Sequence, residues 1–284
     1  MTVLSLEAGR LAVDLAPASG GSIARFCMAD VDLLRPMAEA DIASGRGNNA
    51  ACYPLVPFSN RIANGRLAFD GEEIVVAPNW PGERHPMHGD GWARAWTVAQ
   101  SDARSAHLVY QHDGRTGWPF RYCARQRFRL DGERLAVEIG VENLENHAVP
   151  AGIGLHPFFV RAPDTIFAFG ARAVWRADAE ILPVERIDVP AAWNFAEGRV
   201  LGGLALDNCF DGWDGAATIA WPRRGIRLRL EATPPLRHLV VYTPPGRPFF
   251  CAEPVSHANG QLGATRLASG ATLAGEILFR ISEL

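Results

Sequence analysis

Two side chains set the chemistry available to this sequence. Glu253 ends the run Phe249-Phe250-Cys251-Ala252-Glu253 and is followed by Pro254. A carboxylate at the end of an apolar run is partly desolvated, which raises its pKa and makes it a stronger base near neutral pH. His156 lies in Gly154-Leu155-His156-Pro157-Phe158-Phe159, where proline and aromatic neighbours fix the backbone. An imidazole held in this way can give or take a proton. A carboxylate and an imidazole converging on one bond can move two protons across it. The alternative readings are an edge carboxylate paired with an arginine and a satisfied structural histidine.

Three further residues are candidates for holding a polar ligand. His88 lies in His85-Pro86-Met87-His88-Gly89-Asp90, Arg61 in Pro57-Phe58-Ser59-Asn60-Arg61-Ile62, and Asp207 in Leu206-Asp207-Asn208-Cys209. A charge inside an apolar or small stretch needs a partner or a polar ligand. Sugar hydroxyls both donate and accept, so a sugar would serve. A direct Arg61–Asp207 ion pair is the structural alternative. The chain has eight Trp, whose rings can stack on the C–H face of a sugar, although most are expected in the core. A metal site from His85, His88 and either His156 or Glu253 is not expected. Pro86 opposes a helix that would align the two histidines, and a strand would point them to opposite faces.

Composition excludes several other chemistries. The 28 basic and 31 acidic residues leave a formal charge of −3, without the positive footprint of a nucleic-acid binder. Every basic residue is Arg. With no Lys there is no Schiff base, hence no pyridoxal-phosphate or lysine-aldolase chemistry, and no P-loop. The five cysteines (27, 52, 123, 209 and 251) are scattered without a C-x-x-C pair, so buried free thiols are expected rather than a disulfide framework or zinc knuckle. Asp14 and Pro17 interrupt the only apolar stretch near the start. No run approaches the roughly 18 apolar residues of a membrane helix. A soluble, cytoplasmic protein without membrane partners is the expectation, as a monomer or weak dimer.

The elements that must position these residues are strands. Leu135, Val137, Ile139 and Val141 alternate with Ala136, Glu138, Gly140 and Glu142 after the turn pair Asp131-Gly132. With Arg125–Leu130 they read as a hairpin. Phe69-Asp70-Gly71-Glu72 before Ile74-Val75-Val76 reads likewise, as does Thr218–Trp221 with Ile226–Leu230 across Pro222-Arg223-Arg224-Gly225. Leu239–Tyr242 and Ile277–Ile281 are further strands. Arg125, Arg127 and Arg129 share one face, expected to be solvated. The single helix candidate is Leu33–Ile42. No linker or repeat divides the chain, so residues 1–284 read as one all-β domain, a large antiparallel β-sandwich.

In order along the chain, Pro57-Phe58-Ser59-Asn60-Arg61-Ile62, His88-Gly89 with Trp96, His156-Pro157-Phe158-Phe159, Leu206-Asp207 and Glu253-Pro254 resemble the aldose 1-epimerase (mutarotase) family. Gly20-Gly21-Ser22-Ile23 and Asp32-Leu33-Leu34-Arg35-Pro36 resemble its first hairpin. The resemblance implies an open cleft in a galactose mutarotase-like sandwich and a small-molecule sugar substrate, with no cofactor. It implies Glu253 as catalytic base, His156 as catalytic acid, and Arg61, His88 and Asp207 as sugar-binding residues, with His88 also near the ring oxygen. Galactose mutarotases usually carry Asn before a His-Pro-Tyr-Phe motif and Asn-Leu after it. Here Gly154-Leu155 precede His156, Phe158 replaces Tyr, and Val160-Arg161 follow. These departures leave open a different aldose, a sugar acid or a phosphorylated hexose. A hexose-6-phosphate mutarotase and a non-catalytic carbohydrate-binding sandwich are the alternatives to a mutarotase of free aldoses.

Overall fold

A computed structural model describes residues 3–80 and 82–284. Two large antiparallel sheets dominate it. The first runs, in spatial order, through the strands Leu4–Ala8, Leu11–Ala16, Ser22–Met28, Cys52–Leu55, Gly154–Val160, Phe249–Val255, His238–Tyr242, Asp207–Asp211, Ala173–Ala177 and Pro183–Asp188, with Val31–Asp32 paired beside Ser22–Met28. The second contains nine strands, among them Arg121–Leu130, Arg134–Asn143, Thr272–Glu283, Ile226–Ala232 and Ala216–Trp221 as consecutive neighbours. The fold is therefore an all-β sandwich.

The hairpins expected from turn pairs form as expected. Arg121–Leu130 pairs with Arg134–Asn143 with Leu130 opposite Leu135. Arg66–Phe69 pairs with Glu72–Val75 across Asp70-Gly71, and Ala216–Trp221 pairs with Ile226–Ala232. The inward faces of the two sheets share one core. Phe26 of the first sheet meets Phe279 of the second edge-to-face at 6.0 Å, and Phe159 lies 6.2 Å from the same ring. The outward face of the arginine strand is held by Arg125–Glu142, Arg127–Glu138 and Arg129–Glu276 ion pairs. All five thiols are free and buried.

The helix is displaced from its expected position. It spans Glu39–Ser44 and ends on Gly45, which takes the left-handed conformation. Leu33 and Leu34 are instead fully buried and lie outside any helix, with Leu34 bridged to Phe159. Pro36 stands between them and the helix. It disfavours helical geometry at the residue before it, so the helix begins only beyond it. Among the described residues no helix is long and apolar enough to cross a membrane.

The middle of the first sheet separates core from cleft by simple alternation. Leu155, Phe159, Phe250, Ala252 and Val241 point into the shared core. Tyr53, Phe158, Cys251, Val240 and Cys209 form a second buried cluster on the opposite face. That second face is the floor of the candidate site.

Candidate active site

Strand pairing brings together residues far apart in the chain. His156 sits opposite Tyr53, and Glu253 opposite Val240. One step along, Phe158 sits opposite Cys251, Cys251 opposite Tyr242, and Tyr242 opposite Asp207. Directly opposed residues project to the same side of a sheet, so these rows form one surface. Above it opens a cleft of about 260 Å³ whose lining includes Arg61, His88, His156, Asp207 and Glu253. All five residues singled out from the sequence face the same cavity.

His156 Nε2 lies 3.2 Å from Glu253 Oε1, and both side chains are buried. The imidazole packs against two aromatic rings, Tyr53 at 4.6 Å between ring centres and Phe158 at 4.5 Å, tilted from it by 28° and 20°. This stacking fixes the ring plane. Burial pushes the Glu253 carboxyl well above the usual carboxylate range, the Asp207 charge pushes it the same way, and Arg61 opposes both. Burial lowers the His156 imidazole to about 3. Both shifts favour the uncharged form of each group, which for the pair means one shared proton held on the Glu253 side.

His88 reaches the cleft from a loop with unusual backbone. It adopts φ +63° and Asn60 adopts φ +56°, both in the left-handed region. The two residues are locked reciprocally: the Asn60 N–H donates to His88 Nδ1 at 3.2 Å, and the His88 N–H donates to the Asn60 carbonyl at 2.9 Å. With Nδ1 accepting, the neutral ring carries its proton on Nε2. Burial first, then the neighbouring His156 and Arg61, holds His88 well below the usual imidazole pKa, so it presents a neutral N–H donor. Its ring meets that of His156 edge-on at 5.3 Å. Gly89 makes the loop possible. It has φ +66°, and a Cβ there would sit 2.0 Å from the Val56 carbonyl oxygen.

Arg61 does not pair with Asp207. The Arg61 Nε lies 3.8 Å from Glu83 Oε2 and has no hydrogen-bond partner although it is buried. Burial raises Asp207 to about 6, Arg61 lowers it, and Glu83 raises it. Arg61 is thus a sparsely bonded cation beside two carboxylates of the cleft, an arrangement suited to a ligand rich in hydroxyls.

A family model described as aldose 1-epimerase matches residues 2–280. The chain belongs to the aldose 1-epimerase family. The Escherichia coli K12 protein YphB, itself uncharacterized, is 32% identical over the full length of both chains. A crystal structure of an Escherichia coli K12 protein, also 32% identical, superposes with a TM-score of 0.92 over 100% of this chain and 99% of that one. The galactose 1-epimerase of Lactobacillus acidophilus, at 16% identity, shares the fold with a TM-score of 0.82 over 99% of this chain and 94% of its own.

In this member of the aldose 1-epimerase family, His85 and His257 do not line the cleft. His85 accepts from the Asn64 N–H at 3.0 Å and lies 3.6 Å from Glu180, so it does not join His88 in a metal site. His257 accepts from the Ser59 N–H at 3.2 Å and donates to the Ala258 carbonyl at 2.9 Å, bracing the loop that carries Arg61. His156, Cys251 and Glu253 place three potential metal donors within 4.8 Å of one another. An ion there would have to ionise the Cys251 thiol, which burial holds well above its usual pKa.

Several site residues were not evident from the sequence. Asn79 clamps the His88 loop: its side-chain amide donates to the Met87 carbonyl at 2.9 Å and the Gly89 carbonyl at 2.5 Å, and its oxygen accepts the Met87 N–H at 2.7 Å. Asp90, buried behind this loop, gathers the hydroxyls of Tyr122 and Tyr110 and lies 2.9 Å from His112 Nδ1. Tyr53 and Trp80 supply aromatic walls, with Trp80 packed 4.7 Å from Trp92.

Proposed function

We propose that this protein is a mutarotase, an aldose 1-epimerase in activity as well as family, interconverting the α and β anomers of an aldose through ring opening. The observation that carries this reading is the 3.2 Å separation of His156 Nε2 and Glu253 Oε1 on the floor of the cleft. The two oxygens of a hemiacetal share one carbon, so the groups that serve them must also be close together.

In ring opening, Glu253 takes the proton of the C1 hydroxyl as the C1–O5 bond breaks, and His156 gives a proton to O5. The C1–O1 bond becomes the aldehyde. Rotation about C1–C2 presents the other carbonyl face, and closure reverses both transfers. The single proton of the pair makes this exchange balanced. Transfer of the pair's proton from Glu253 to His156 across their 3.2 Å contact gives the starting arrangement, with His156 protonated and Glu253 charged, and ring opening ends with Glu253 protonated and His156 neutral again. That end state is the uncharged arrangement burial favours for both groups. Each well-placed donor or acceptor is worth roughly 10²–10⁴-fold in rate. His88, as a neutral donor, is suited to the ring oxygen or an adjacent hydroxyl. Arg61 and Asp207 are suited to the remaining hydroxyls.

The test is a comparison of anomer exchange rates with and without the protein, over a panel of freshly dissolved aldoses, by polarimetry and NMR. Acceleration of at least one aldose at catalytic protein concentration is expected. Saturable sugar binding without acceleration would favour a non-catalytic carbohydrate-binding sandwich instead.

A further inference from the structure

The cleft holds an excess of positive charge that anomerisation does not use. Arg35 and Arg247 both line it. The Arg35 guanidinium lies 4.1 Å from the centre of the Phe158 ring and 4.7 Å from that of Phe249, and its Nη2 donates to the Ala50 carbonyl at 2.9 Å. Arg247 stands 5.8 Å over the other contact of the same wall, Phe249. Among the described residues neither guanidinium has a carboxylate within ion-pair distance, and Arg247 has no hydrogen-bond partner. Several arginines elsewhere on the surface are met by carboxylates, as in Arg125–Glu142, Arg127–Glu138 and Arg186–Asp211.

The two cations are also close enough to oppose each other. Burial first of all holds Arg35 below its usual pKa, and the Arg247 charge adds to the effect. The backbone bond and ring contacts of Arg35 explain how it is held. Arg247, exposed at the mouth of the cleft, brings a second guanidinium to the same wall. Arg35 is half-buried while Arg247 is exposed; a half-buried cation without a counter-ion is unfavourable, and a second positive charge facing the same cleft adds repulsion that a bound anion would relieve. Arginine forks are well matched to carboxylate and phosphate oxygens.

The position of the pair along the strands is informative. Phe158 lies two residues beyond His156, and Phe249 four residues before Glu253, on the same face. At about 3.3 Å per residue these offsets are roughly 7 and 13 Å. That is the reach of one sugar ring and a substituent at its far end, if C1 lies at the Glu253–His156 pair. At Arg61, by contrast, the charge is already met by Glu83 at 3.8 Å and by nearby Asp207.

We propose that Arg35 and Arg247 form an anion subsite, and that the preferred substrate is an aldose carrying a carboxylate or phosphate remote from C1. The proposal rests on the mutarotase reading for its chemistry, but its recognition element can be measured separately. The experiment uses the full chain with glucose, glucuronate and glucose 6-phosphate, following anomer exchange by NMR at neutral pH. At least one of the two charged sugars is expected to exceed glucose by tenfold or more in kcat/KM, and whichever it is distinguishes a carboxylate from a phosphate site. In R247Q, and in R35Q if it folds, that ratio should fall by about tenfold. Glucose exchanged as well as or better than both charged sugars would overturn the subsite while leaving the mutarotase reading intact. If no sugar is exchanged, the mutarotase reading fails, and calorimetric titration with glucose 6-phosphate and glucuronate then tests the subsite alone. Binding of one of them that exceeds glucose binding and is weakened in R247Q would support it. Binding no tighter than that of glucose, or indifferent to R247Q, would overturn it.

Discussion

Replacing Gly89 by Ala perturbs the position of His88 without touching its chemistry. A Cβ at this position would lie 2.0 Å from the Val56 carbonyl oxygen, 2.4 Å from its carbon and 2.6 Å from the Pro57 nitrogen. All three atoms are backbone, so no side chain can swing aside. Contacts under 3.0 Å are essentially unknown for real Cβ atoms, so the loop must retreat from 2.0 Å to beyond 3.0 Å, a movement of 1 Å or more. The left-handed φ of +66° adds about 1–2 kcal/mol for any residue with a Cβ. A misplacement of about 1 Å at a catalytic group costs on the order of 10²-fold in rate. Gly89→Ala is therefore expected to lower kcat/KM for anomer exchange by about two orders of magnitude and to lower the melting temperature. Gly71→Ala is the control. Gly71 also has a left-handed φ, +83°, but no atom lies within 4 Å of its would-be Cβ. That variant should lose a comparable 1–2 kcal/mol of stability from backbone strain alone and keep its activity. Equal activity in the two variants, measured by polarimetry under saturating and sub-saturating sugar, would refute the argument that the Val56–Gly89 contact sets the position of His88.

Two other outcomes follow from the electrostatics. The Glu253–His156 pair is competent with one proton, so the rate should fall at high pH as that proton is lost from the carboxyl that burial, then Asp207, holds raised. Asp207→Asn removes a charge that raises Glu253 and should move this alkaline limb to lower pH, whereas Arg61→Gln removes a charge that lowers it and should move the limb to higher pH; shifts of the same sign in kcat/KM–pH profiles would contradict the assignment. At His112, burial acts downward most strongly of any one cause, but the hydrogen bond and charge of Asp90, the Trp118 carbonyl and the Asp113 charge together outweigh it and the pKa is raised. Stability from this pair is then complete below the unfolded imidazole pKa of about 6.5 and is lost as pH rises through the folded value. Asp90→Asn should abolish that pH dependence of the melting temperature and destabilise the protein by about 3–5 kcal/mol, since it breaks a buried charge pair.

The sheet elements were legible because their signals are local. Asp131-Gly132 and Asp70-Gly71 mark turns, and alternation such as Leu135-Val137-Ile139 marks the buried face. The five cleft residues stood out for a similar reason, each being a polar group in a stretch of apolar or small residues or of Gly, Pro and aromatic residues. What supports them was hidden because it arises between segments. Tyr53 stacks on His156 only because two strands about a hundred residues apart are neighbours. Asn79 looks like an ordinary loop residue until the main chain of Met87 and Gly89 folds over it. The Arg61–Asp207 pair, the structural alternative to ligand binding, was plausible from charge alone, but Glu83, from the segment between Arg61 and His88, stands 3.8 Å from Arg61 instead. The helix begins beyond Pro36, and Leu33 and Leu34 are drawn into the core outside it.

The most direct measurement is the α/β exchange rate of a responsive aldose, by NMR magnetisation transfer at equilibrium, with the wild-type protein and Glu253→Gln at equal concentration. Gln keeps the shape but cannot accept the C1 hydroxyl proton, so exchange should slow by about 10²–10⁴-fold while the sugar still binds. Exchange at the wild-type rate in this variant would contradict the assignment of Glu253 as the proton acceptor.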